Sequence, residues 1–216
     1  MSINIRAKPK FIFILGGVRS GKSSYAVELA KKLNKKVTFI ATAICSDNAL
    51  PSKVSGKSTC ARLCPLGYEG IPVDKEMEKR IKLHKSLRPR HWKLIEEGRD
   101  VGSVLCKLDG RSKVVLIDCL GLLISNFLAD KLSDKEIKRK IKVLINVILK
   151  IKFTVILVSN EVGAGLVAVN PLARRFQDLL GLANQMIAKS ANEVIFMQVG
   201  IPIRIKGEEQ EAKNRE

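Results

Sequence analysis

The start of the chain combines two short apolar runs with a helical pattern between them. Residues 11–15, Phe-Ile-Phe-Ile-Leu, are rich in strand formers and end at a glycine pair, which is typical of a buried strand entering a loop. Apolar residues then recur at helical spacing from Ser23 to Leu33, and Asn34 is a helix-stop signal. A second run of strand formers covers Val37–Ala43. The order strand, loop, helix, strand predicts a βαβ unit.

Further apolar runs recur along the second half of the chain. They cover Val114–Ile117, Thr154–Val158 and Val194–Val199, and segments with helical patterns separate them. This alternation predicts an α/β fold with a mostly parallel sheet that is covered by helices on both faces. A last run, Ile201–Ile205, predicts a final strand at the sheet edge, where its proline is tolerated.

The length favours one domain, residues 1–216, with one interruption. Residues 44–73 contain three of the five cysteines together with several prolines, glycines and serines, and they show a period of neither 2 nor 3.6. We therefore expect an inserted surface loop or small subdomain there, because loops of such length tend to be functional or disordered. The charged tail, residues 207–216, is expected to be frayed.

The formal net charge of +18 favours phosphate-rich or nucleic-acid partners by its size alone. The lysines, however, are spread over helix-like segments such as Lys135–Lys142, and two Tyr and one Trp offer little surface for base stacking. We therefore expect no nucleic-acid partner. No apolar run reaches the roughly 18–20 residues that a membrane span requires, and the first run lacks the cleavage site of a signal sequence. A cytoplasmic protein is expected.

Five cysteines lie at positions 45, 60, 64, 106 and 119. Their odd number and their spacing fit neither a paired disulfide framework nor a Cys-x-x-Cys metal site. No histidine lies near Cys45, Cys60 and Cys64 to complete a tetrahedral set, so reduced thiols are expected.

One motif carries chemistry on its own. Residues 16–23 match the P-loop pattern G-x-x-x-x-G-K-[ST] in full, between a predicted strand and a predicted helix. The glycines allow backbone N–H groups and the helix N-terminus to point at phosphate oxygens, and Lys22 adds a positive charge. Ser23 is placed to hold Mg²⁺ through its hydroxyl, with Asp118 as the carboxylate that completes the outer coordination. The nucleotide-binding residues predicted here are Gly16, Gly17, Val18, Arg19, Ser20, Gly21, Lys22 and Ser23.

A second group of motifs lies between residues 74 and 96, which also hold both histidines and the single tryptophan. With the P-loop and several later motifs, they make the sequence similar to the bifunctional adenosylcobinamide kinase/adenosylcobinamide-phosphate guanylyltransferases of cobalamin biosynthesis. The motifs stand in the family's order over about residues 11–206. They are the P-loop, Ile40–Ala43, Glu76-Met77, Arg80-Ile81, His84-Lys85, Arg88-Pro89, His91-Trp92, Asp118-Cys119, Ser159–Gly163, Asn170 with Leu172–Asp178, and Gly200–Ile203.

The resemblance implies a P-loop NTPase-like fold that performs two reactions. In the first, ATP or GTP phosphorylates the aminopropanol hydroxyl of adenosylcobinamide. In the second, GTP gives its GMP moiety to an enzyme histidine with loss of pyrophosphate, and adenosylcobinamide phosphate then takes the GMP to form adenosylcobinamide-GDP. The resemblance also implies a homotrimer with sites between subunits.

By its position after Arg80-Ile81, His84 corresponds to the guanylylated histidine of the family. A neutral imidazole attacks phosphorus well at pH 7, and Lys85 and Arg88 stand near enough in sequence to neutralise the charge that builds up. Beyond the P-loop, the resemblance implies nucleotide contacts at Ala41, Thr42, Ala43, Lys85, Ser86, Leu87, Arg88, Glu96 and Asp118.

Other interpretations stay open at this point. The chain is alternatively a P-loop small-molecule kinase without the transferase step, in which His84 is structural, or a nucleotide-gated protein that binds nucleic acid through its positive charge. Asn160 and Glu161 form either a helix cap or a ligand-binding pair. His91, beside Trp92, is interpreted as structural.

Overall fold

A computed structural model describes residues 9–43, 88–108 and 112–207. The predicted insertion at residues 44–73 lies outside the described residues, as does the tail from residue 208 onward. Within the described part of the chain, seven strands form a single sheet. They are β1 (Phe11–Gly16), β2 (Val37–Ala41), β3 (Lys93–Glu96), β4 (Val114–Asp118), β5 (Thr154–Asn160), β6 (Glu193–Gln198) and β7 (Ile201–Lys206).

The strand order is β3-β2-β4-β5-β1-β6-β7, and every neighbouring pair is parallel except β6 with β7. The prediction of a mostly parallel sheet is thus confirmed, and so is the predicted edge strand that follows Gly200. Because β5 lies between β1 and β4, the P-loop strand and the strand that ends in Asp118 are not direct neighbours. Their carboxyl ends open on the same edge of the sheet, where ligands of parallel α/β folds bind.

Strand β3 was not predicted from the sequence. Its four residues, Lys93–Glu96, contain only two apolar side chains and are mostly exposed. The strand lies at the sheet edge and pairs only with β2. An edge strand of this kind needs no continuous apolar run, which explains why the hydrophobic pattern did not reveal it.

Five helices are described: α1 (Lys22–Leu33), α2 (Val101–Leu108), α3 (Leu120–Ala129), α4 (Asp134–Lys150) and α5 (Pro171–Ser190). One core joins buried side chains of α2, α3, α4 and α5 to one face of the sheet. The second core, on the opposite face, consists of α1, Trp92 and the strand residues that point toward them. Helices therefore cover both faces of the sheet, as predicted. The second core packs α1, the helix that follows the P-loop, against the sheet.

None of the helices in the described ranges combines the length and the apolar composition needed to cross a bilayer.

Candidate nucleotide site

The P-loop joins the end of β1 to the start of α1. Gly21 adopts the left-handed conformation, with a φ of 86°, and Arg19 before it has a φ of 57°. No side chain caps the first turn of α1, whereas Ser133 and Asn170 cap α4 and α5 with their side-chain oxygens. The amide groups at the start of α1 therefore remain available to an anion, as the phosphate-cradle prediction requires.

The loop has no room for a side chain at its first glycine. A Cβ atom at Gly16 would lie 2.6 Å from the carbonyl oxygen of Met197 and 2.6 Å from the Ser20 hydroxyl. That hydroxyl is buried and has no hydrogen-bond partner among the described residues. On the other side of the loop, the Gly200 amide in the β6–β7 turn donates to the carbonyl oxygen of Ser20 at 3.1 Å. A buried hydroxyl without a partner can donate to a phosphate oxygen, and a glycine-rich loop lets backbone N–H groups approach the phosphate closely.

Lys22 supplies the positive charge of the cradle. Its ammonium group donates to the carbonyl oxygen of Gly17 at 3.1 Å, which brings it back over the loop. Burial lowers the pKa of Lys22 below its usual value, and the nearby Cys119 and Asp118 side chains partly offset this effect. The ammonium is therefore partly desolvated, a state in which it interacts more strongly with a phosphate anion than in water.

The acidic candidates lie in register at the carboxyl edge of the sheet. Ala41, in β2, is paired with Glu96 on one side and with Asp118 on the other. Burial lowers the pKa of Arg88 below its usual value, and the charges of Asp118 and Glu96 partly offset this effect. The structure thus brings Glu96, Ala41, Asp118 and Arg88 together at one edge of the sheet, and their nucleotide contacts stay predictions.

The Arg88 side chain lies against the ring of Phe39 in β2. Its guanidinium stacks on the Phe39 ring, with 4.5 Å from Cζ to the ring centroid. The Nη1 atom is buried and has no hydrogen-bond partner within the described residues. A stacked, partly desolvated guanidinium with an unused donor suits recognition of a phosphate or carboxylate oxygen.

Thr42 differs from the other predicted nucleotide contacts. Its side chain is fully buried, and its hydroxyl accepts from the Cys119 amide and donates to the Cys119 carbonyl, both at 2.7 Å. It thereby lies against the cis peptide bond that joins Asp118 to Cys119. The Thr42 amide donates to the Asp118 carbonyl at 3.0 Å, and its own carbonyl accepts from Asn126 at 2.9 Å. Every polar group of Thr42 is therefore used inside the protein.

Comparison with known proteins decides the family. The model of the cobinamide kinase/cobinamide phosphate guanyltransferase family matches residues 12–58 and 55–205. This chain belongs to that family. The bifunctional adenosylcobalamin biosynthesis protein CobP of Pseudomonas aeruginosa is 32% identical over 195 residues, which cover 90% of this chain and 96% of CobP. The bifunctional adenosylcobalamin biosynthesis protein CobU of Escherichia coli K12 is 31% identical over 207 residues, with 90% and 99% covered.

Among solved structures, the flagellar accessory protein FlaH of Methanocaldococcus jannaschii aligns with 93% of this chain and 79% of its own, at 16% identity and a TM-score of 0.45.

Four of the predicted site residues cannot be placed by the structure, even with the family assigned. His84, Lys85, Ser86 and Leu87 lie outside the described residues, so their roles stay predictions. His91 lies exposed in a turn in which the Trp92 amide donates to the Pro89 carbonyl, while the Trp92 ring is buried in the second core. The buried Trp92 ring thus anchors the segment to the core, and the structural interpretation of His91 stays a prediction.

Asn160 and Glu161 do not cap a helix. Residues 161–170 contain no helix, and the next one, α5, is capped by Asn170. Instead, the Glu161 carboxylate accepts from the Gly163 amide at 2.6 Å, and the Glu161 amide donates to the carbonyl oxygen of Gly16 at 2.9 Å. The helix-cap interpretation is thus wrong, and in this family member the pair lies directly beside the P-loop.

The predicted Mg²⁺ site has few protein ligands. Among the described residues, no group of three or more His, Cys, Asp or Glu side chains could hold a metal ion. Mg²⁺ at phosphate sites commonly takes one or two protein oxygens and completes its octahedron with phosphate oxygens and water. Ser23, next to Lys22, and Asp118, which acts on the pKa of Lys22, are compatible with that sparse arrangement.

The first testable prediction concerns the missing space at Gly16. The variant Gly16→Ala is expected to unfold several degrees lower and to bind nucleotide poorly, because its Cβ would collide with a backbone carbonyl and displace the loop. Overpacking of this kind costs about 1–3 kcal/mol. Gly17→Ala is the matched control, since a Cβ there meets nothing within 4 Å. Thermal unfolding and GTP titration compare the two variants, and equal behaviour would contradict the close packing.

The second prediction concerns the thiols. Burial, followed by the Asp118 charge, raises the pKa of Cys119 to about 12, whereas Cys106 is exposed. The thiolate is the reactive species, so we expect iodoacetamide at pH 8 to alkylate Cys106 quickly and Cys119 very slowly. The slow reaction should persist up to about pH 10, because the Cys119 thiolate accumulates only near its raised pKa. Peptide mass spectrometry over time measures both rates, and rapid native alkylation of Cys119 would refute its burial.

Proposed function

We propose that this chain phosphorylates adenosylcobinamide with a nucleoside triphosphate and then transfers GMP from GTP to the product. The transfer runs through a guanylyl group on His84 and gives adenosylcobinamide-GDP, a step of cobalamin biosynthesis. The observation that carries the proposal is a complete phosphate cradle, in a family member whose sequence holds the family's histidine motif four residues before Arg88.

The kinase step needs a positioned triphosphate and stabilisation of the transferred phosphoryl group. The P-loop amides, the Ser20 hydroxyl and the start of α1 bind and orient the phosphates, while Lys22 balances their charge. The substrate hydroxyl attacks the γ-phosphorus, its proton passes to a base or to solvent, and the nucleoside diphosphate leaves. Mg²⁺, held by Ser23 and Asp118, would neutralise charge on the β- and γ-phosphates.

The transferase step requires a nucleophile at the α-phosphorus. A neutral imidazole nitrogen of His84 attacks, a P–N bond forms, and the bond to the pyrophosphate leaving group breaks. The phosphate oxygen of adenosylcobinamide phosphate then attacks the same phosphorus and releases the histidine. The position of Arg88 supports this proposal. Its guanidinium lies near Asp118 and Glu96, and His84 is four residues earlier in the chain, a stretch that spans at most about 14 Å.

The experiment uses the wild-type protein with GTP labelled at the α-phosphate and Mg²⁺. After denaturation we expect a label on the chain that is stable to alkali and labile to acid, as a phosphoramidate is. Adding adenosylcobinamide phosphate before denaturation should move the label into adenosylcobinamide-GDP. In parallel, GTP or ATP labelled at the γ-phosphate should transfer its label to adenosylcobinamide.

Each arm has an outcome that contradicts part of the proposal. A folded protein that binds GTP and phosphorylates adenosylcobinamide, but gains no covalent label, would be a small-molecule kinase without the transferase step. Protein that binds nucleotide and acts on neither substrate would refute both reactions. Tight binding of duplex or single-stranded DNA, with an affinity that falls steeply as the salt concentration rises, would favour the nucleic-acid alternative instead.

The proposed assembly is the homotrimer that the family resemblance implies. An apolar surface on β7 supports self-association, because Ile201, Ile203 and Ile205 are 61%, 48% and 62% exposed. We expect sedimentation equilibrium to give three times the 23.9 kDa mass of the chain. Ile203→Asp should shift the protein toward smaller species, and a monomeric wild type at assay concentrations would refute the trimer.

A further inference from the structure

Asn126, on α3, links two strand ends at the carboxyl edge of the sheet. Its side-chain amide donates one hydrogen to the Thr42 carbonyl at 2.9 Å and the other to the Gly98 carbonyl at 3.0 Å. Thr42 directly follows β2, and Gly98 lies two residues beyond the end of β3. Both carbonyls lie past the regular sheet ladder, so this one side chain satisfies groups that the ladder leaves over.

The link continues from Thr42 to β4. The Thr42 hydroxyl and amide hold Cys119 and Asp118 through three hydrogen bonds of 2.7, 2.7 and 3.0 Å. Residues 97–100, which join β3 to α2, form the β3 loop. A bidentate ion pair of 2.7 and 2.9 Å from Arg99 to Asp130 adds a second tie between this loop and the end of α3. The Asn126–Thr42 bridge, as we call these two residues, thus connects α3 to the ends of β2, β3 and β4.

We propose that Asn126 is a positioning residue for the nucleotide site, which acts through Thr42 on Asp118 and through the β3 loop on Glu96. This inference rests on the proposed function for the roles of those two carboxylates. An apolar residue at position 126 would leave two carbonyls without donors. It would also remove the link from α3 to the residues after β2 and β3, so that Thr42 would hold the end of β4 less firmly. Displacement of a ligand by about 1 Å commonly costs up to about 100-fold in rate.

The test compares Asn126→Leu, which preserves volume and removes both donors, with the wild type. We expect the Mg²⁺ concentration that gives half-maximal guanylylation to rise about 10-fold and kcat to fall, with a smaller change in the KM for GTP. Thr38→Val is the matched control, because Thr38 lies in the same strand as Ala41, near the opposite end of β2. Its hydroxyl makes a buried 3.0 Å hydrogen bond to the hydroxyl of Ser112, which precedes β4. This control should lose stability without changing the Mg²⁺ requirement.

A second readout does not depend on activity. Cys119 is buried and is held by Thr42, so its native alkylation rate should increase at least several-fold in Asn126→Leu and stay unchanged in Thr38→Val. The readout keeps its meaning even if the protein proves to have another activity. An Asn126→Leu protein with wild-type Mg²⁺ requirement and wild-type Cys119 protection would overturn the proposal.

A variant pair at the other end of the bridge covers the case in which Asn126→Leu does not fold. Thr42→Ser retains the hydroxyl and should keep the wild-type Mg²⁺ requirement and Cys119 protection. Thr42→Val should need a higher Mg²⁺ concentration and should lose the protection of Cys119. Equal behaviour of the serine and valine variants would overturn the proposal, because it would show that the bridge hydroxyl does not hold the end of β4.

Discussion

The variant His84→Ala is expected to bind GTP and to retain no covalent label from GTP labelled at the α-phosphate. The reason is chemical: alanine has no nucleophile, and the P–N bond that carries the label needs the imidazole nitrogen. The loss should be complete within the detection limit of the labelling experiment. Phosphorylation of adenosylcobinamide, which uses the P-loop and no enzyme nucleophile, should persist in the same variant.

The chain contains its own control for this prediction. His91 is the second of only two histidines, and it lies exposed in the turn before β3. His91→Ala should therefore retain the label. A label that survives in His84→Ala and disappears in His91→Ala would mean that the motif alignment has assigned the nucleophile to the wrong histidine. A label that survives in both variants would place the nucleophile on another residue type.

The parts of the site that the sequence revealed are those formed by local signals. The strand, the glycine loop and the helix of the P-loop follow one another within residues 11–33, and each carries its own pattern of apolar or glycine residues. Asp118 was found for the same reason, because it ends a continuous apolar run that becomes β4. In both cases the backbone conformation follows from neighbouring residues, so no knowledge of tertiary contacts was needed.

Other parts depend on contacts between residues far apart in the chain. Thr42 was predicted as a nucleotide contact, but nothing in its neighbourhood indicated that Asp118, Cys119 and Asn126, more than seventy positions away, would use all of its polar groups. Asn126 itself was missed, since an asparagine inside an apolar helix carries no periodic signal. One feature would have indicated Asn126. It is a side-chain amide on a helix that packs beside the carboxyl ends of parallel strands, where backbone carbonyls need donors.

The lack of space at Gly16 belongs to the same group. The motif predicted a glycine there for backbone freedom, whereas the structure adds a second reason, the approach of the Met197 carbonyl from β6. Likewise, the resemblance included Gly200, but only the structure brings its amide to the Ser20 carbonyl. These contacts depend on the strand order, because β6 lies next to β1 in the sheet. The local sequence pattern of a strand does not predict which strand will be its neighbour.

Replacement of Lys22 by methionine is expected to lower the rate of phosphoryl transfer and of guanylylation by about 100-fold or more. Methionine retains most of the apolar stem and removes the charge that faces the phosphates, and the loss of one preorganised electrostatic contact commonly has an effect of this size. Lys31→Met, on the exposed last turn of the same helix, is the control for a change in net charge alone. Steady-state kinetics with each labelled nucleotide measure both effects.

Stability separates this catalytic effect from misfolding. Burial lowers the pKa of Lys22, which means that the folded protein disfavours the ammonium form relative to water. Removing the charge should therefore leave the unfolding temperature unchanged or raise it slightly, while activity falls. A Lys22→Met protein that is both stable and fully active would contradict the role of the P-loop lysine. A protein that loses activity in proportion to lost stability would indicate that the side chain mainly supports the fold, and the hydrogen bond to Gly17 would then be its principal contribution.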